Sequence, residues 1–211
     1  MFGVKFYESN LVGADLSRVD ATNARFSRSD LTGASLADAR LIVATFSDGN
    51  LTGVNLAGAD LTSGSLSRTN LTGADLTGAN LSGARLTRVD MTGADLTGAN
   101  LSGADLSGVD MTDADLTDAR VSGTNLLPSD VHVVADSSGS AVVSYQLPSR
   151  TGVVVDGCDH ASGSRFPLGS TTVTCTVGTS RSTTTGTFEV IVRALGGSLP
   201  VTGSWSGSLD R

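Results

Sequence analysis

Hydrophobic residues recur at every fifth position from Phe6 to Leu126, and the register never slips. Of the 25 positions reached in steps of five, 18 are Leu; the others are Phe6, Ala21, Phe26, Phe46, Met91, Met111 and Val121. The residue two before each is always small or β-branched, and mostly Ala. Between the two sits a polar residue, usually Asp or Asn, as in Ala74-Asp75-Leu76-Thr77-Gly78. Internal repetition this strict outranks local propensity in deciding the architecture.

A period of five suits neither regular element. On an α-helix, five steps of about 100° turn successive leucines by roughly 140°, smearing them around the axis. In a plain strand an odd step puts successive leucines on opposite faces. Each pentad therefore contains its own bend, for which Gly, Asp/Asn and Ser/Thr are suitable chemistry. Phe6, Phe26 and Phe46 are spaced by 20, as are Met91 and Met111, each preceded two residues earlier by Val. Charges agree: Glu8, Arg28, Asp48 and Arg68 alternate in sign in one phase, and Arg18 neighbours Asp38 in another. A four-sided coil of 20 residues is the simplest arrangement that stacks like on like.

The pattern resembles the pentapeptide-repeat family, with its consensus A(D/N)Lxx, over residues 4–126. That resemblance implies an all-β fold, a right-handed quadrilateral β-helix with leucine and alanine ladders inside. Twenty-five pentads make about six coils, roughly 29 Å at about 4.8 Å per coil. Ala21 is an undersized central residue, and Ile42 and Val43 are apolar at normally outward positions. The chain opens directly into repeats, so we expect either a further N-terminal portion or end-to-end self-association at the first coil.

The register ends at Leu126, and Pro128 marks the break, so 1–126 reads as the solenoid and 127–129 as a linker. Short alternating segments follow: 131–134, 141–145, 153–155, 171–175 and 187–192, separated by Gly and Ser turns. They predict a small β-sandwich over 130–193. The run from Ala161 to Cys175, the opening Asp130-Val131-His132-Val133 and the segment from Tyr145 to Pro148 resemble hyalin-repeat (HYR) domains. The resemblance implies an immunoglobulin-like extracellular module associated with adhesion. This copy lacks the family's Asp-x-x-Gly-Asn turn and its late Cys, near whose position Gly186 falls. Cys158 and Cys175 occupy the remaining cysteine positions and are expected to pair, worth about 3 kcal/mol in the chain-entropy picture; the other reading is two buried free thiols. The tail, 194–211, is rich in Gly and Ser and contains Leu199-Pro200-Val201-Thr202-Gly203, which matches the LPXTG wall-sorting signal without the membrane helix and basic tail that normally follow.

Composition narrows the function. A net charge of −7 argues against direct binding to nucleic acid or an anionic membrane, and no apolar run approaches the roughly 18–20 residues of a membrane helix. The first ten residues lack the long apolar stretch of a secretory signal. Either the chain works in the cytoplasm, or it is an internal piece of a longer secreted precursor. No catalytic, cofactor or metal site is expected. The solenoid aspartates, Asp113 and Asp115 included, are outward and solvated; His132 and His160 have no triad partners; LTGADLTG lacks the Lys of a phosphate loop.

Three non-enzymatic functions remain. The favoured one is a surface-exposed bacterial protein, extracellular or wall-associated, whose solenoid is a rigid spacer or contact surface for a protein or surface glycan. The second rests on the family resemblance: some pentapeptide-repeat proteins mimic DNA and bind type II topoisomerases such as gyrase. A 29 Å duplex carries roughly 17 charges, whereas residues 1–126 hold 15 acids and 9 bases. The acids concentrate late: 71–126 has 8 acids and 3 bases, against 7 and 6 in 1–70. Asp75, Asp95 and Asp115 share one phase, with Asp90 and Asp110 in the next, forming a candidate acidic contact patch. The third uses an outward row, Thr32, Thr52, Thr72, Thr92 and Thr112, to bind an ordered surface such as ice or glycan; ordinary β-ladder preference for Thr is the better explanation of the row.

Overall fold

A computed structural model describes residues 3–148 and 150–194. The first part is a β-helix without α-helix, in which every coil takes 20 residues. Parallel bridges run from Lys5↔Arg25 to Asn100↔Arg120, each pairing a residue with the one 20 further on. The Phe6, Phe26 and Phe46 rings stack at 5.0 and 4.8 Å, which measures the coil rise directly. From Ala21 onward the central residues are buried, and Ala21 itself fills its place at 0% exposure.

One pentad shows why the coil closes. Leu31 N–H donates to Asn50 C=O of the next coil (2.7 Å), Gly33 N–H to Thr52 C=O (2.9 Å), and Ser35 N–H back to Ala14 C=O (2.9 Å). Ala34 N–H donates to Leu31 C=O within the corner (2.9 Å). That leaves Thr32 N–H, which donates to the Asp30 carboxylate at 3.0 Å. All five amides are satisfied, as a buried ladder requires. The Asp or Asn before each central residue is thus a turn acceptor, an Asx motif repeated along the rod. The third corner residue has positive φ throughout, as a type II turn demands. Gly suits it, yet Val43 occupies it at φ 58°, half exposed.

The second part has six strands: β1 Val131–Val134, β2 Ser140–Val143, β3 Val154–Asp156, β4 Ser164–Pro167, β5 Gly169–Gly178 and β6 Thr183–Arg193. One sheet has the order β1-β6-β5-β3, with β1 parallel to β6 and the other pairs antiparallel; β2 and β4 form a second, antiparallel pair. Val173, Cys175, Val177, Phe188, Val190 and Val192 of the large sheet are buried, as are Ala141, Val143 and Phe166 of the small one. Strand β4 lies outside the expected segments and ends in Pro167. The proline is tolerated as the last residue of a strand paired on one side only, opposite Ser140.

Residues 127–129 differ from a free linker, since Leu127 is buried at 3% exposure. The second part covers the end of the rod. Thr151 takes the strand slot beside Asp110, and Met111 N–H donates to its C=O at 3.0 Å. Leu106 N–H donates to Asn125 Oδ1 (2.8 Å) and Leu116 N–H to Ser182 Oγ. The Thr184 hydroxyl donates to Ala119 C=O at 2.6 Å, and the Thr179 hydroxyl to Ala114 C=O. Gly186 pairs with Cys175 across the β5/β6 ladder. A Cβ there would lie 2.5 Å from Leu127 Cδ1 and 2.9 Å from Val121 Cγ2. A side chain at this position would have to displace Leu127 and Val121 from the docked rod. By contrast, Phe6, Leu11 and Leu16 of the first coil are only partly buried.

Two substitutions test this account by urea denaturation. Val43→Gly removes a left-handed β-branched residue and is expected to stabilise by roughly 0.5–1 kcal/mol, the left-handed cost less the chain entropy of Gly. Gly186→Ala presses a methyl into Leu127 and is expected to destabilise by about 1–3 kcal/mol.

Candidate functional site

Because each pentad is one wall of the coil, the charges sort by face. The first face is centred on Phe6, Phe26, Phe46, Leu66, Leu86, Leu106 and Leu126. It carries six bases (Lys5, Arg25, Arg28, Arg68, Arg85, Arg88) and three acids (Glu8, Asp48, Asp105), a net of +3. The second, centred on Leu11 to Met111, has four acids and no base; the third, Leu16 to Leu116, has six acids and one base. The fourth, Ala21 to Val121, is balanced at two and two. The rod is polarised across its width, with the cationic first face opposite the third. Splitting the charge along the chain hid this; sorting positions by residue number modulo 20 would have found it.

Asp75, Asp95 and Asp115 lie in register on the third face, and Asp90 and Asp110 on the second, joined by the bridges Asp75↔Asp95, Asp95↔Asp115 and Asp90↔Asp110. The five therefore form two adjacent rows along the edge between these faces. Each also accepts the amide two residues on at 2.9–3.0 Å. The Thr117 hydroxyl and amide hold Asp115 below the usual carboxylate range, and the Thr92 hydroxyl does the same for Asp90. Arg181 reaches from the second part to within 4.0 Å of Asp115, covering that end of the rows.

The threonine row lies on the second face, but its hydroxyls point inward in bonding terms. Thr32, Thr52, Thr92 and Thr112 donate to Asp30, Asn50, Asp90 and Asp110 at 2.5–2.7 Å. Thr32 Oγ1 also accepts from Asn50 Nδ2 at 2.9 Å. These protons serve the turns and are not offered to a ligand.

Cys158 and Cys175 are joined by a disulfide that ties the segment after β3 to the centre of β5. His160 bonds Asp159 at 3.0 Å and stacks on Phe166; His132 Nδ1 lies 3.2 Å from Arg193 Nη2. Among the described residues no group of His, Cys, Asp and Glu is arranged to hold a metal ion, and no helix is long and apolar enough to cross a membrane. The segment Leu199, Pro200, Val201, Thr202, Gly203 lies outside the described residues.

The depressed aspartates set a pH dependence. Asp15, Asp20, Asp30, Asp90, Asp105 and Asp115 are all held below the ordinary value of 3.8 by hydrogen bonds from the residue two further on. Their stabilisation is complete above that value and is lost as pH falls through it. Thermal midpoints are expected to be level from pH 7 to about 5 and to drop progressively below about 4.

Among solved structures, QnrB1, a plasmid-mediated fluoroquinolone resistance protein, is 21% identical, with 59% of this chain and 75% of that chain covered and a TM-score of 0.45. A pentapeptide repeat protein from the Arabidopsis thaliana thylakoid lumen is 33% identical over 46% of this chain and 65% of its own, with a TM-score of 0.37. HetL, a pentapeptide repeat protein from the cyanobacterium Nostoc involved in heterocyst differentiation regulation, is 28% identical over 62% and 73%, with a TM-score of 0.29. No curated protein matches the chain. The pattern for pentapeptide repeats matches in eight copies, in overlapping segments from residue 1 to residue 126. With more than half its length so matched, and a 20-residue coil built from the repeat, the chain belongs to the pentapeptide-repeat family.

Proposed function

We propose that this is a non-enzymatic binding scaffold displayed outside the cell or on a bacterial wall. In this reading the solenoid is a rigid rod, the second part is an immunoglobulin-like, hyalin-repeat-type module capping it, and the partner is a protein. The observation that carries it is the double row of aspartates on the edge between the second and third faces. Their side chains are fixed by the turns they cap, so they present negative charge at little entropic cost. They match a partner surface rich in Lys and Arg. Outward rows of turn-capping side chains suit recognition better than catalysis. The Cys158–Cys175 bond favours an oxidising compartment, and the hyalin-repeat resemblance agrees with it.

The topoisomerase reading draws on the same acidic edge but fits less well. A duplex is negative all round, whereas the first face of this rod is net positive. Glycan or ice binding through the threonine row is weaker again, because those hydroxyl protons are committed within the turns.

Protease treatment of intact host cells, followed by wall fractionation, distinguishes these readings. The full-length protein is expected to be digested from outside and recovered with the wall, and purified protein to leave gyrase supercoiling unchanged. Recovery from the cytosol together with gyrase inhibition or protection sinks the surface reading.

A further inference from the structure

The column Glu8, Arg28, Asp48, Arg68 alternates in sign, and its arginines are paired: Arg28 with Glu8 at 3.4 Å, and Arg68 with Asp48 through two bonds of 2.6 and 2.8 Å. The alternation then breaks. Arg88 follows Arg68 in the next coil, and Gly108 follows Arg88, the Arg88 stem lying 3.4 Å from where a Gly108 Cβ would stand. Arg88 has positive φ (58°), which Gly would adopt without cost, and among the described residues it has no ion pair to offset that cost. Arg85 likewise has no acid within salt-bridge distance among the described residues. Neighbouring Asp105 is bonded instead to the Thr87 and Ser107 hydroxyls and the Asn125 amide.

These side chains surround an open groove of about 370 Å³, lined by Ser67, Arg68, Arg85, Thr87, Arg88 and Asp105. The rim holds three cations and one anion. The Ser67 hydroxyl oxygen, also in the lining, is buried without a hydrogen-bond partner. Buried hydroxyls are ordinarily partnered, and three guanidinium groups from separate positions suit a tetrahedral dianion better than a planar carboxylate, which one arginine can satisfy.

We propose that this groove on the first face is a binding site for a phosphate group carried as a monoester on a partner molecule. Arg85 and Arg88 supply the charge, Arg68 its remaining N–H groups and Ser67 a hydroxyl. It lies opposite the third face, so its success or failure is separate from that of the acidic edge.

Calorimetric titration of the whole chain with inorganic phosphate, phosphoserine and acetate, at matched ionic strength and pH 7.5, tests it. Phosphate and phosphoserine are expected to bind saturably, at least about tenfold tighter than acetate. Arg88→Gly and Arg85→Asn use residues the repeat already accepts at those positions, and each is expected to weaken binding about tenfold with a melting point no lower than that of the parent, Arg88→Gly raising it as Val43→Gly does. Arg18→Gly, on the third face, should have no effect. Absence of saturable binding, acetate binding as tightly as phosphate, or an equal loss in Arg18→Gly overturns the site.

Discussion

Everything in this molecule depends on one amide per pentad. Four of the five backbone N–H groups find carbonyls in the coil before, the coil after or the same corner. The fifth, that of the residue after the central Leu, faces outward at the bend and reaches no carbonyl. It is satisfied by the side chain two residues earlier, Asp30 for Thr32 and Asp95 for Thr97. A net hydrogen bond is worth only about 1 kcal/mol, but this one recurs on most pentads of the second, third and fourth faces, and many of the same side chains also take the Thr or Ser hydroxyl. The polar residue before each Leu is therefore structural first, and its charge is available to a partner only because the rest of the carboxylate faces water.

The same accounting makes the ends of the rod its weak points. A ladder in which two amides per pentad, such as those of Leu31 and Gly33, donate to the next coil leaves the last coil with amides aimed at nothing. On the first face the rod's own Asn125 side chain answers Leu106, and the second part answers the next two faces, with Thr151 for Met111 and Ser182 for Leu116. Its hydroxyls return bonds to Ala114 and Ala119. The β5–β6 hairpin has become a cap, and Gly186 lets it approach Val121 and Leu127 closely enough.

The register, the 20-residue coil and the inward Leu and Ala ladders were legible because each is a strict periodicity. The stacked phenylalanines announced the coil length outright. The cap was not legible: its contacts join residues more than 60 apart, such as Thr184 with Ala119, and no local pattern encodes such a pairing. Strand β4 was not legible either. The aspartate rows were found because like residues recur at a fixed step, whereas the cationic face escaped notice because its arginines occupy two different outward columns, 25 and 85 in one and 28, 68 and 88 in the other.

These two outward columns carry different freedoms. The position before the central Leu must supply a turn acceptor on most coils. The third corner position needs only to tolerate positive φ, and Gly does so without strain. A side chain in place of that Gly costs backbone energy, which at Val43 goes without offset and at a charged residue an ion pair can offset in part. Arg28 and Arg68 recover part of it in ion pairs with the coil before, Glu8 and Asp48. Arg88 recovers none within the described residues, beside a buried hydroxyl that is equally without a partner. A bound anion beside Arg88 would recover at this position what Glu8 and Asp48 supply to Arg28 and Arg68.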